Sequence, residues 1–453
     1  MKLLSKIGVL IFILLAFGCK KDDDSSVEKI SLLSISVDGA ILTNGAQSIP
    51  IDQPITMSFS AVLDPSAFSS QLSITSNGGS ETLNITYTNS NSKANIEVDF
   101  NYSTTYTLTL NAGTIGANGE ELNTPINITF STQENNTITS MAPCTTPSQC
   151  VQTVLLNGTT GSGAFEFYSN YPIYEENAAW ENLTQAVIVV HGASHNPDDY
   201  FSYLTNTLNA ESLSDNTVLI APFFRNVATN SADDFYWSST GWRDGKLSNN
   251  SNKISSFEVL DEIIEQLVDA EHFPVLDQII ITGQSSGGRF THVFAPSNKS
   301  HELYPNIKFD YVVSESQYFY YPDGQRINEG TNQLYTPTGC SGYDIWPFGF
   351  NVTPEYLAGV TETNFNQKFI TRTITYLLGN GTGSDPTLNT NNCSATLLGS
   401  SRYQRGENMF QYMELVYGAT HNHSKTIANG ITHNGSAIYQ SSAFRSLLQD
   451  LLN

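Results

Sequence analysis

The chain has 453 residues, more than one ordinary domain holds, and at 39% hydrophobic it carries enough apolar material for more than one core. Its formal net charge is −23 although only 14% of residues are charged, so Asn, Ser, Thr and Gly must dominate the surface. An acidic chain without basic blocks argues against nucleic acid or polyanions as partners. No H-E-x-x-H or paired C-x-x-C spacing occurs, so neither a metal nor another cofactor is expected.

The N-terminus reads as a processing segment. Lys2 and Lys6 precede a short apolar run, Ile7 to Phe17, too short to span a bilayer comfortably. Cys19 follows the small residue Gly18, and Leu15-Ala16-Phe17-Gly18-Cys19 resembles the lipobox of bacterial lipoproteins, with Leu15 one place further from the cysteine than usual. The resemblance implies a signal peptide over 1–18 and lipidation at Cys19. The run KKDDDSS after Cys19 resembles the surface-export tag of some Gram-negative lipoproteins. It implies a lipid anchor in the outer membrane with the protein facing outward, on a polar tether over 19–29.

From 30 to 132 the pattern is all-β. Ile55, Met57 and Phe59 alternate with polar residues, as do Ile96, Val98 and Phe100, then Tyr106, Leu108 and Leu110, then Ile126, Ile128 and Phe130. Period-two alternation in short runs predicts half-buried strands and a sandwich. The stretches PIDQPITMSFSAVLDPSAF and TTYTLTLNAGTIGANGEELNTPINITFST resemble bacterial Ig-like domains, which implies a spacer. Residues 133–150, polar and containing Pro143 and Pro147, read as a linker.

Beyond 151 strands and helices alternate, which predicts a mostly parallel sheet with helices on both faces. Strands are expected at Ala186 to Val190, Thr217 to Ala221, Gln278 to Thr282, Phe309 to Val313, Phe369 to Leu378 and Met413 to Tyr417. Helices are expected from Pro197, from Ser255 with a capping box to Glu258, after Ser285, and from about Ser436 to Leu451. Four cysteines, Cys144, Cys150, Cys340 and Cys393, favour disulfides in an exported chain. The nearness of Cys144 to Cys150 makes them one candidate pair and Cys340 with Cys393 the other, among three connectivities.

The chemistry gathers around Gly283-Gln284-Ser285-Ser286-Gly287, which follows an apolar β-branched run and opens a helix-like segment. A serine on a sharp strand-to-helix turn projects its hydroxyl from the sheet, and the next amide, that of Ser286, points toward an oxyanion. The strand ending in His191-Gly192 would supply a second amide from Ala193. His195, in the same loop, reads as structural. From about Val187 onward, VIVVHGASHN, FYWSSTGWRDG, GQSSGGRF, CSGYDIWPFGF and VYGATHNH resemble secreted serine esterases of the α/β-hydrolase superfamily, the polyhydroxyalkanoate depolymerase-like and feruloyl-esterase-like group.

That resemblance implies an α/β-hydrolase fold over 151–453 and cleavage of carboxylic esters through an acyl-enzyme. The substrate would be an ester outside the cell, polyesters and acylated glycans included. The nucleophile would be Ser285. The base would be His421, after the strand expected at Met413 to Tyr417, with His423 and the more distant His433 as competitors. The acid would be Asp385, the one carboxylate in the loop after Leu378, although such enzymes carry theirs nearer Thr382. Trp237 and Trp242 are candidate ring platforms for substrate. A serine peptidase on the same fold and a non-catalytic surface binding protein are the alternative readings.

Overall fold

The structure is a computed structural model that describes residues 28–77, 79–134, 137–227 and 233–452. Cys19 and the apolar segment before it lie outside the described residues. The chain divides into two units, one ending at Asn136 and one beginning at Thr137.

In the first unit, alternation decides which side chains go in. Ile55, Met57 and Phe59 are buried, and so are Tyr106, Leu108 and Leu110. Apolar residues at every second position give each sheet one apolar face, and two such faces close on each other. The result is a pair of five-stranded sheets around a core containing Phe59, Phe68, Tyr106 and Phe130. This is the Ig-like sandwich expected.

The second unit is built on eight strands: β1 (Val151–Gly158), β2 (Gly161–Ser169), β3 (Gln185–Val190), β4 (Thr217–Pro222), β5 (Gln278–Gln284), β6 (Lys308–Ser314), β7 (Ile374–Gly379) and β8 (His423–Ala428). Their spatial order is β1-β2-β4-β3-β5-β6-β7-β8. β1, β2 and β4 pair antiparallel, and every other neighbour pairs parallel. The helices that position the site are α1 (Pro197–Ala210), α2 (Ser256–Leu267), α3 (Ser286–Ser297), α4 (Glu362–Thr371), α5 (Arg402–Tyr417) and α6 (Ser442–Leu452). Successive residues of the central strands serve opposite faces. Val187, Val189 and Ile280 join one core with Phe201 and Leu204 of α1 and Phe444 of α6. Ile188, Val190 and Ile281 join the other with Leu260 of α2, Phe290 of α3 and Met409 of α5. Strands covered on both faces must be apolar throughout, which is why β3 and β5 are buried at every position. This strand order, with helices on both faces, is the α/β-hydrolase fold.

Local signals hold where side chains bond their own backbone. Ser255 and Glu258 form the capping box at the start of α2. Four expectations need correction. Met413 to Tyr417 is the last turn of α5, whose buried positions, among them Arg402, Arg405, Met409, Tyr412 and Met413, recur at helical spacing. The final strand is instead HSKTIA, β8. Phe369 to Thr371 closes α4, and the strand begins only at Ile374. The last helical stretch is broken into Gly435–Tyr439 and α6. Residues 137–150 are built into the second unit: Ile138 bridges Ala178, and Cys150 is buried in a core of the sheet.

Candidate active site

β5 delivers Ser285 to the start of α3. Ser285 has φ 61° and ψ −111°, a conformation that L-residues adopt only when the surroundings enforce it. Two things enforce it. The Ser285 amide donates to Ser314 O on β6 at 3.0 Å. The flanking glycines also let the backbone close up: a Cβ on Gly287 would meet Val190 O at 2.0 Å, and one on Gly283 would meet the Gly287 carbonyl group at 2.4 Å. The Ser286 amide opens α3, where unpaired N–H groups and the helix dipole favour a developing anion. Ala193 lies in the loop after β3, and Val190 is in register with Gly283, so that loop leaves the sheet at the same edge. Next to it, His191 is a scaffold residue. Its Nδ1 lies 2.8 Å from Gly192 O, its Nε2 accepts from the Phe224 amide at 3.1 Å, and burial pushes its pKa down to about 3. His195 Nδ1 lies 2.7 Å from Phe224 O.

His421 is not brought to Ser285. It precedes β8, and β8 begins where His423 pairs with Ile374, at the amino end of the sheet. Six residues of strand separate that end from Ala428, roughly 17 Å at strand rise. His421 Nδ1 accepts from the His423 amide at 3.0 Å, and its Nε2 lies 3.5 Å from Glu414 Oε1. His423 is buried between Tyr376 OH at 2.9 Å and Phe369 O at 2.7 Å, and burial pushes its pKa down to about 3. The histidine past the carboxyl end of β8 is His433, five residues beyond the strand. Its Nδ1 lies 2.8 Å from the Gln284 side-chain amide, beside Ser285 in sequence, and 3.4 Å from Glu315 Oε2. Gln284 Oε1 in turn accepts from Tyr200 OH at 2.6 Å.

Glu315 follows β6 directly and also has a positive φ, 49°. Its side chain is 2% exposed, and its Oε1 accepts from the Gly379 amide at 2.8 Å, which aims Oε2 at His433. Asp385 lies in the same cavity, about 270 Å³ and lined by Glu315, Gly381, Thr387, Arg402 and His433 as well. Its oxygens are taken, however: Oδ2 accepts from Arg402 Nε at 2.6 Å and Oδ1 from Thr387 Oγ1 at 2.6 Å. Burial alone would raise its pKa, but the Thr387 and Arg402 bonds outweigh that and hold it below the usual carboxylate value. The sequence reading passed over Glu315. The available signal was a carboxylate directly after the apolar strand neighbouring the nucleophile's.

Trp237 and Trp242 are not at the rim. Both are fully buried: Trp237 Nε1 donates to Lys246 O at 3.0 Å, and Trp242 stacks on Phe224. Both are core, because apolar rings of that size are most stable where water is excluded. Cys144 is bonded to Cys150 and Cys340 to Cys393.

Residues 34–132 match the family model described as a bacterial Ig-like domain. No curated protein matches the chain in sequence. Among solved structures, the chain is similar to the poly(3-hydroxybutyrate) depolymerase LpqC of Bordetella parapertussis, at 18% identity, TM-score 0.45, over 64% of this chain and 84% of that one. It is likewise similar to poly(aspartic acid) hydrolase-1 of Sphingomonas sp. KT-1, at 18% identity, TM-score 0.46, over 67% and 98%. A third is the siderophore hydrolase EstB of Aspergillus nidulans, at 15% identity, TM-score 0.38, over 66% and 95%. At these identities the likeness concerns the fold alone.

Proposed function

We propose that the second unit is a serine hydrolase that cleaves carboxylic esters, with Ser285 as nucleophile, His433 as base and Glu315 as acid. The observation that carries this reading is the convergence at the carboxyl edge of the sheet. A serine with φ 61° lies one residue from Gln284, whose side chain meets His433 Nδ1, and that nitrogen faces the buried Glu315 carboxylate at 3.4 Å. General-base action needs Nδ1–H directed at the carboxylate and a free Nε2 for the serine proton, which requires the Gln284 amide, whose Nε2 faces Nδ1 here, to turn its oxygen to that nitrogen or move aside. Ser285 Oγ then attacks the ester carbonyl, His433 takes the proton and returns it to the leaving alcohol, and the Ala193 and Ser286 amides hold the oxyanion. Water, activated by His433, releases the acyl-enzyme. Glu315 stabilises the imidazolium in between. Asp385, fastened to Arg402, is assigned no direct part.

The test is covalent labelling with a fluorophosphonate followed by peptide mapping, together with turnover of a panel of aryl esters, acylated glycans, polyesters and peptides. A label on Ser285 and turnover of esters are expected. A label elsewhere, or cleavage of peptides alone, would overturn the reading. The lipid anchor at Cys19 and an outward-facing position at the outer membrane remain part of the proposal, supported by the sequence. Cys19→Ala should move the protein out of the membrane fraction, and a variant that stays there would remove the lipid from the account.

A further inference from the structure

Two guanidinium groups stand at the turn that carries the nucleophile. Arg243 Nη1 donates to Ser286 Oγ at 2.9 Å, one residue from Ser285. Arg289, on the first turn of α3, meets Asp244 Oδ1 at 2.6 Å and lies over the Tyr318 ring at 4.7 Å. Arg243 faces the same ring at 5.7 Å. The charges do not balance: Asp244 pairs directly with Arg289 and acts on Arg243 only through space, so one carboxylate answers two guanidinium groups. Among the described residues no carboxylate lies within ion-pair distance of Arg243.

Other buried guanidinium groups of this unit are met more fully. Arg402 is paired with Asp385. Arg405 donates to three backbone carbonyls, those of Gly399, Gln317 and Asn389. Arg326 donates to the carbonyls of Asp323, Gln325, Tyr343 and Phe348. Among the described residues Arg243 makes a single hydrogen bond, to a neutral hydroxyl, and its Nε, like that of Arg326, is buried without a partner. Burial and the neighbouring Arg289 push its pKa down to about 10 against the opposing pull of Asp244 and Tyr318, so it remains a cation at neutral pH while partly stripped of water. Two partly desolvated cations that share one carboxylate leave an excess positive charge, which is costly unless something anionic arrives to meet it.

We infer that Arg243 is a specificity-determining residue that receives a free carboxylate of the substrate, so that the preferred ester bears an acidic group within a side chain's reach of the scissile carbonyl. This rests on the serine hydrolase reading above and deepens it. The net charge of −23 opposes a long polyanion, which would feel the whole molecule. A single carboxylate beside Arg243 feels chiefly the nearest charge, because salt screens the rest within about a Debye length, ~8 Å.

The experiment uses two matched pairs of esters. 4-Nitrophenyl butyrate against 4-nitrophenyl hemisuccinate puts the acid on the acyl side. Methyl 4-acetoxybenzoate against 4-acetoxybenzoate puts it on the alcohol side. Wild type should favour the acidic member of at least one pair. Arg243→Gln should lose that preference by roughly ten- to a hundredfold in kcat/KM, the range of one charge-assisted hydrogen bond, with most of the loss in KM. Arg243→Lys should keep part of the preference, and it carries the test alone if the glutamine variant does not fold. Equal losses on acidic and neutral members would assign Arg243 to the oxyanion or the scaffold and overturn the inference. So would a wild type that favours the neutral ester in both pairs. Failure to turn over any of the four esters would instead overturn the hydrolase reading, and this inference with it.

Discussion

Each end of β8 holds a histidine near a glutamate, and by distance alone the two are alike. At the amino end His421 Nε2 lies 3.5 Å from Glu414; at the carboxyl end His433 Nδ1 lies 3.4 Å from Glu315. What differs is the surroundings. The Glu414 side chain is 54% exposed and the Glu315 side chain 2%. A histidine–carboxylate contact of that length contributes little when the carboxylate itself stands in water, whereas a buried and hydrogen-bonded carboxylate fixes what it touches. At the carboxyl end the neighbouring strands also deliver Ser285 and Ala193, and α3 points its amino terminus at the same place. Parallel strands all release their loops at one edge, so chemistry accumulates there. At the amino end the neighbours of His423 are Tyr376 and Phe369, and the result is core.

The largest expected effect separates the two ends directly. Ser285→Ala and His433→Ala should each lower kcat by roughly a thousandfold or more, with the fold intact by circular dichroism. His421→Ala should leave turnover within a fewfold of wild type. If His421→Ala is as damaging as Ser285→Ala, the comparison is wrong at its base. A smaller contrast concerns the acids. Glu315→Gln should cost about a hundredfold or more in kcat, because the imidazolium loses its partner, and Asp385→Asn about tenfold or less. The reverse order would return the acid to Asp385, where the loop pattern first put it.

The smallest effect is read as stability against pH. His423 at the amino end, with His191 and His292, has a pKa pushed down by burial from 6.5 to about 3. Each is neutral when folded and binds a proton on unfolding anywhere between those values. Their contribution is therefore fully present above about 6.5 and is lost as pH falls toward 3. Each should add a slope of up to ~1.4 kcal/mol per pH unit in that window. Melting curves from pH 7.5 to 4 should show the decline, and His423→Gln should flatten it by about one proton's share. An unchanged slope in His423→Gln would mean that this histidine does not titrate on unfolding.

The sequence made Ser285 legible because the turn needs an unmistakable set of parts: a β-branched strand, glycines where backbones touch, and a helix at once after. Helix α2 was legible because Ser255 and Glu258 bond the backbone locally. β8 was not. It is an edge strand whose HSKTIA lacks apolar alternation, while MELVY at the end of α5 imitates a strand over its few residues. That one exchange put the expected base at His421, at the opposite end of the strand from His433, the proposed base. α5 concealed itself further by burying Arg402, Arg405 and Asn408, which a hydrophobic pattern counts as surface. Glu315 has no motif. Its orientation is set by the Gly379 amide, 64 residues away, and no local spacing records such a contact. The tryptophans misled because a loop assignment says where the backbone runs, and Trp237 and Trp242 turn inward from theirs.

The hydrogen bond from the Gly379 amide to Glu315 has a consequence for how this protein can change. On the proposed assignment, the proton relay is complete once β5, β6 and the turn after β8 are in place. The stretch between β7 and α5 is then excused from supplying a carboxylate. It is clipped down elsewhere instead, by Asp385 on Arg402, by Asn389 and Gly399 on Arg405 and by Cys393 on Cys340. Such a stretch is an exchangeable cassette at the rim of the site. Natural variation can lengthen or rewrite it, and a protein engineer can graft it, to reach new substrates while the reacting groups stay in register.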